Sequence, residues 1–238
     1  GVALATTLSQ YFGVVVALGL MLYRYRRYFI AIAWQRVLQA EKLISFFRIN
    51  ADIFIRTVCL IFSFSYFQAA SADLGSDYLA ANLILLQYMH ITSYAVDGFA
   101  AAAEGLVGRF HGAKDDSLMR KAIRFSFYWG VGFAAVITLA FFFLGDELLA
   151  LLTDLPKMIN FAKPYLVWVI LMPMINAVAF IWDGVYIGKT ASATMRNMMV
   201  LATFGIFLPV AWFVAPVWGN HGLWLAMVLF MAARGIGL

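Results

Sequence analysis

The 238 residues are 64% hydrophobic and only 12% charged, about half the charged share of an ordinary soluble domain. A soluble core of this length cannot hide so much apolar surface, which excludes a water-soluble globular domain and leaves an integral membrane protein with several spans. The net charge of +5 would suit nucleic acid, but the basic residues fall in loops on one side of the apolar spans, and the single Cys59, itself inside a span, excludes an internal disulfide and a cysteine-based metal cluster.

The chain opens on GVALATTLSQYFGVVVALGLM, an apolar run with no initiating Met and no basic stretch ahead of it. It is not a signal peptide, and it reads as a polypeptide entered partway along. The far end, WLAMVLFMAARGIGL, stops in or just after an apolar segment. Both ends are those expected of a piece of a longer, transporter-sized protein. A bilayer core takes about 20 apolar residues as helix. That criterion predicts seven spans, at 2–22, 50–70, 79–106, 125–144, 164–187, 198–217 and 221–238. Helix is forced, because lipid offers no partner to unpaired backbone groups and no alternating barrel pattern is present. The expected fold is therefore all-α, a polytopic bundle of transmembrane helices.

The connection 23–49 carries Arg24, Arg26, Arg27, Arg36, Lys42 and Arg48. Within it, RRYFIAIAWQRVLQAEKLISFF spaces apolar residues at helical intervals with Arg36, Gln39 and Lys42 on the other side. This predicts an amphipathic helix on the membrane surface, a strut leading into the second span rather than a regulatory element. The connections 109–124 and 188–197 add Arg109, Lys114, Arg120, Lys121, Arg124, Lys189 and Arg196. The alternate connections, 71–78, 145–163 and 218–220, hold only Lys157 and Lys163 beside Asp73, Asp77, Asp146, Glu147 and Asp154. Thirteen cations against two orient the first end outside and the C-terminus in the cytoplasm. The third span is long enough to kink, with Gly98 and Gly105 as weak points, while Pro173 and Pro209 can bend the fifth and sixth. Trp168, Trp218 and Trp224 lie near span ends, where an interfacial belt is expected.

The candidate chemistry rests on acidic residues inside spans. A charge at mid-bilayer costs about 2.5–3.5 kcal/mol on insertion scales, so such a group normally faces the bundle interior or water. Asp97, Glu104 and Asp183 are the carboxylates placed this way. Low dielectric disfavours the charged form of a carboxyl, and a group that accepts a proton on one side and releases it on the other is what proton coupling needs. Asp97 and Glu104 share a helix face about two turns apart, and Asn176 and Asp183 repeat the seven-residue spacing. Asn82, Gln87 and His90 precede Asp97 on its span, so these residues are candidates for lining one polar cavity for substrate or ion. The alternative is that Asp97 and Asp183 bond helix ends or neighbouring backbone and hold the bundle in register, with His90 a satisfied polar residue. Glu104 lies near the basic rim, where a salt bridge to Arg109 or another loop cation is expected. Asp52 and Arg56, at i and i+4, are expected to form an intrahelical ion pair. There is no HExxH, CxxC or P-loop, and no Ser/His/Asp order recommends a hydrolase.

YAVDGFAAAAEGLVGRFHGAKD, FIWDGVYIGKTASATMRNMM and GNHGLWLAMVLFMAARGIGL resemble, in that order, segments of the DinF branch of the MATE multidrug and toxic compound extrusion transporters. NADIFIRTVCLIFSFSYF is similar to the start of a MATE C-terminal lobe. The resemblance covers nearly the whole chain. It implies a twelve-helix fold of two six-helix lobes, of which this chain would hold helix 6 (1–22), the lobe-connecting loop (23–49) and the C-terminal lobe (50–238). It further implies cation-coupled antiport exporting organic, often cationic or amphipathic, compounds across a bacterial inner membrane. No cofactor is implied beyond a coupling H+ or Na+. The partners would be a small organic substrate, membrane lipid and the N-terminal lobe of the same polypeptide, with no nucleic acid. That lobe carries the carboxylate usually given the proton-coupling role, and a lone C-terminal lobe cannot rock against a missing one. Asp97, Glu104 and Asp183 match acidic positions of the branch pattern without fixing the role of each. Two other readings are a lipid-linked precursor flippase of the same superfamily and a membrane-embedded lipid enzyme. The first needs a cationic cavity, and Arg56 and Arg234 are read as lying near span ends; the second needs a nucleophile or metal cluster.

Overall fold

The computed structural model describes residues 2–29 and 39–238, and among these every regular element is helical. In chain order they are α1 (Val2–Phe29), α2 (Ala40–Leu74), α3 (Ser76–Gly112), α4 (Asp116–Leu152), α5 (Pro156–Ala162) and α6 (Leu166–Gly188). There follow α7 (Ser192–Val200), a π-helical segment (Leu201–Phe207), α8 (Leu208–Phe213), α9 (Ala215–Trp218) and α10 (Asn220–Gly237). The middle of the predicted amphipathic helix lies outside the described residues. Its flanks are helical: α1 continues to Phe29, and α2 starts at Ala40 and runs unbroken through the second predicted span. The chain forms two compact units, Gly1–Arg48 and Ile49–Leu238, and the second contains all of the site described below.

Five stretches are long and apolar enough to cross a membrane: Leu4–Tyr25, Ala40–Leu74, Asp116–Leu152, Pro156–Gly188 and Ser192–Trp218. The two long helices outside that set, α3 and α10, are those that carry Asn82, His90, Asp97, Glu104 and Arg234. Helices overrun the predicted spans because an intrahelical bond ladder stops at a capping or turning residue, not at the edge of the hydrocarbon. α3 ends at the Ala113 cap, and Asp115 starts the next ladder, its side chain accepting from the Leu118 N–H at 2.9 Å. Gly75 alone joins α2 to α3 at φ 134°, and Gly219 joins α9 to α10 at φ 58°, both in backbone regions that side-chain-bearing residues avoid.

The expected bends fall elsewhere. α3 runs through Gly98 and Gly105 without a break, since in lipid no competing partner draws its backbone groups away. α6 also continues across Pro173. The sixth span is interrupted: the wide π turn at Leu201–Phe207 ends just before Pro209, whose missing N–H breaks the regular ladder there. A further kink sits in α4 at Leu144 (φ −115°, ψ 18°).

The core is built between α2, α3, α6, the π segment and α10. Phe67 packs edge-on against Trp224 at 5.1 Å, and Phe207 against Phe230 at 5.8 Å, all four fully buried. α4 turns its exposed stripe outward, with Phe125, Trp129, Val136 and Phe143 at helical spacing, as a lipid-facing helix does. Trp224 thus departs from the expected belt: it is 0% exposed, and its indole N–H donates to Asn82 Oδ1 at 2.8 Å. Asn82 and Asn220 also exchange amide bonds at 2.6 and 3.0 Å, and Asn82 donates to Ser71 at 2.7 Å. The Asn82→Ala variant leaves the Trp224 N–H buried without its acceptor and takes from the Asn220 amide both of its bonds to Asn82. It is expected to lose roughly 2–4 kcal/mol of stability, read as a lowered unfolding midpoint in detergent.

Candidate functional site

The site begins with a close helix crossing. In FIWDGVYIGKT, Gly184 and Gly188 stand four apart on one face of α6. A Cβ at Gly184 would land on the Ala100 carbonyl of α3, and one at Gly188 would lie 2.7 Å from the Glu104 carbonyl oxygen and 3.0 Å from the Gly108 nitrogen. Only hydrogen fits there, as in small-residue crossings of membrane helices. The crossing sets Asp183 of α6 opposite the Asp97–Glu104 stretch of α3. A second close approach, Gly235 of α10 against the Ala179 nitrogen of α6 (3.2 Å from a built Cβ), brings Arg234 to the same place.

There Arg234 Nη2 donates to Asp183 Oδ2 at 2.7 Å, and Arg56 Nη2 of α2 donates to that same oxygen. Asp183 and Arg234 are almost wholly enclosed, their side chains 9% and 2% exposed, while that of Arg56 is 17% exposed. Arg234 is held further by Met231 Sδ at 3.0 Å and by the rings of Phe180 and Phe230, each 5.7 Å from its guanidinium carbon.

Two neighbouring cavities open beside this cluster. One, of about 390 Å³, is lined by Phe64, Gln68, His90, Ser93 and Met231 among others. The second, of about 400 Å³, takes in Arg56, Asp183 and Glu104. Leu60, Asp97, Phe180 and Arg234 belong to both walls. Asp97 makes no ion pair or hydrogen bond among the described residues. The charged groups that act on it are Asp183, Arg234 and Arg56.

The predicted site residues divide accordingly. Asp97, Glu104 and Asp183 share one cavity wall, and His90 lines the adjoining one, with its ring 5.7 Å from Phe64. Asn82 does not join them, being fully engaged with Ser71, Asn220 and Trp224, and Gln87 is exposed away from both walls. Asn176 is completely buried with neither side-chain polar atom bonded to protein, and it lines neither cavity. The Asp52–Arg56 pair is not formed. Asp52 binds Arg196 and accepts from Ser192 at 2.8 Å, while Arg56 turns to Asp183. Each takes a partner from another helix instead, Asp52 from α7 and Arg56 from α6. Nor do Glu104 and Arg109 pair: five residues apart they point to different helix faces, and Arg109 lies over the Phe110 ring at 5.9 Å. The lysines of the acidic connections are both paired, Lys157 with Asp77 at 2.8 Å and Lys163 with Asp146 at 2.9 Å, exposed contacts of little energetic weight.

Arg234 is the site residue that sequence reasoning missed. It was expected near a span end, and it does lie in the last turn of α10, yet it is 1% exposed. A usable signal was present, since an arginine in the apolar run LAMVLFMAARGIG is costly in lipid and is stabilised by a carboxylate inside the bundle.

The MatE family model matches residues 53–213. The chain is 34% identical over 250 residues to the Escherichia coli DNA damage-inducible protein F, covering all of this chain and 51% of that protein. It is 28% identical over 185 residues to the Arabidopsis thaliana Protein DETOXIFICATION 44, chloroplastic (75% of this chain, 34% of that protein). It is 27% identical over 190 residues to the Rhizobium meliloti probable multidrug resistance protein NorM (76% of this chain, 41% of that protein). A crystal structure of a mutant of the Vibrio cholerae MATE transporter VcmN superposes with a TM-score of 0.83 at 18% identity, over 98% of this chain and 53% of that one. The chain therefore spans about half the length of the first of these relatives, and less of the others.

Proposed function

The chain belongs to the MatE family, and we propose that it is the last helix of the first lobe together with the second lobe of a secondary active exporter of organic compounds. The exporter resides in a bacterial inner membrane with its C-terminus in the cytoplasm, the side on which the loop cations gather. Antiport of H+ or Na+ drives it, and within this lobe the coupling group is Asp97. The observation that carries this reading is that Asp97 is an unpaired carboxylate on the wall common to two cavities, while the neighbouring Asp183 is already committed to two arginines. An amphipathic cation would place its charge at Asp97 and its apolar body against Phe64, Phe180, Met89 and Met231. A proton competes for the same oxygen atoms. Proton entry from outside thus releases substrate, and a ligand that prefers one state of the bundle shifts the population toward it.

The test is flux by the full-length protein in proteoliposomes under an imposed pH or sodium gradient. Asp97→Asn is expected to lower gradient-driven export by roughly tenfold or more, the scale of ordinary coupling free energies. Unchanged export at an unchanged amount of folded protein would leave Asp97 a structural residue. The flippase reading draws support from Arg56 and Arg234, which stand in the cavity wall. Three carboxylates, Asp97, Glu104 and Asp183, share that wall and outnumber the two cations, so a pyrophosphate head group is disfavoured there.

A further inference from the structure

Asp183 Oδ2 receives two guanidinium groups while Asp97, on the wall of the same cavity, receives none. Asp183 alone does not balance two arginines, so the second one needs a further carboxylate from the same wall, and an uncompensated charge inside a membrane protein is costly. The two arginines are not equivalent. Arg234 is fixed at several points, by Asp183, the Met231 sulfur and two aromatic rings. Among the described residues Arg56 has a single partner, Asp183, and its side chain is the more exposed, at 17% against 2%. The charged and titratable groups around Asp97 are His90 and Glu104 on its own helix, Arg56 of α2, Asp183 of α6 and Arg234 of α10; α4 adds none to either cavity. Glu104 stands about 10 Å further along α3.

From this arrangement we propose that Arg56 exchanges carboxylate partners, pairing with Asp183 when Asp97 is protonated and with Asp97 when it is ionised, while Arg234 stays on Asp183 as its permanent counter-charge. The inference rests on the reading of Asp97 as the coupling group and assigns the element that reads its charge. Arg56 is a positioning residue. Its exchange draws α2 toward α3 across the cavity of about 400 Å³, so the proton on Asp97 is translated into the spacing of two helices. The structure corresponds to the protonated arrangement, since Arg56 is on Asp183. Leu60, Ala100, Ala101, Phe180, Gly184 and Ile187 of that wall carry no charge, and Glu104 stands about two helical turns from Asp97.

The experiment uses the full-length protein with nitroxide labels at Phe54 on α2 and Ala102 on α3, both exposed and neither lining a cavity, on a Cys59→Ala background. Electron–electron distance measurements are taken across a pH series, beside flux measurements. In the unmodified site the α2–α3 distance is expected to shorten in a single step of about 1–2 Å as pH rises, the scale of ordinary helix shifts. Asp97→Asn holds the long distance at every pH. Arg56→Gln removes the step, and Arg56→Lys restores it, because a lysine keeps the charge. A pH-invariant distance in the unmodified site, alongside gradient-driven flux that depends on Asp97, would overturn the exchange and leave the transport reading standing. So would a step that survives in Arg56→Gln. Flux indifferent to Asp97→Asn would instead overturn the transport reading itself. Should Arg56→Gln fail to fold, the distances in the unmodified site and in Arg56→Lys still decide.

Discussion

Asp183→Ala is expected to cost about 3–5 kcal/mol, the usual penalty for removing one member of a buried ion pair. The cause is specific. Asp183 Oδ2 is the acceptor for both Arg234 and Arg56, and without it Arg234, only 2% exposed, keeps a thioether and two rings but no counter-charge. The measurement is the thermal unfolding midpoint in detergent, with the yield of monodisperse protein as a second reading. Asp183→Asn, which keeps an acceptor but not the charge, should fall between the parent and Asp183→Ala. The double variant Asp183→Ala with Arg234→Met should recover part of the loss, because an apolar replacement for a buried pair is often neutral. If the double variant is less stable than Asp183→Ala alone, the destabilisation comes from lost packing and not from an orphaned charge.

Gly184→Val is expected to be as damaging, for an unrelated reason. Its Cβ would overlap the Ala100 carbonyl oxygen, with the carbonyl carbon at 2.9 Å and the α-carbon at 3.2 Å. These are backbone atoms, so no side chain can swing away and the two helices must separate. Overpacking of a well-packed core costs about 1–3 kcal/mol, and a collision with backbone belongs at or above the top of that range. Gly184→Ala should already show most of the effect. Gly132 of α4 is the control, since a Cβ there meets nothing within 4 Å. Gly132→Ala should leave the midpoint unchanged or raise it by about 0.5–1 kcal/mol of stability through helix propensity. Equal losses at both glycines would mean that helix flexibility, and not the close crossing, decides stability. Separation of α3 from α6 would also part Asp183 from Asp97, so any Gly184 variant that still folds should transport poorly.

The architecture was legible in the sequence because lipid leaves the backbone few choices. A run such as GVGFAAVITLAFFFLG has no way to satisfy its N–H and C=O groups in a bilayer except as helix, so composition alone located α4. Part of the site was legible on the same grounds: a carboxylate as costly as Asp97 or Asp183 inside a span has to face a cavity or a cation. Which of the two applied to each was not. Asp52 and Arg56 show why, because their spacing permits a local pair, yet each turns to a residue more than a hundred positions away. Asn82 and Trp224 show it again, one expected in a cavity and the other in an interfacial belt, and both met in a buried cluster. The sequence by itself determined that the chain is a bundle of apolar helices with cations gathered on one side and a few carboxylates within. Only the tertiary structure decided that Arg234 and Arg56 converge on Asp183 and leave Asp97 free. Helix formation depends on neighbours within one turn, whereas the pairing of charges depends on how closely two helices can cross, and here that is set by glycines on α6 and the bare backbone of α3.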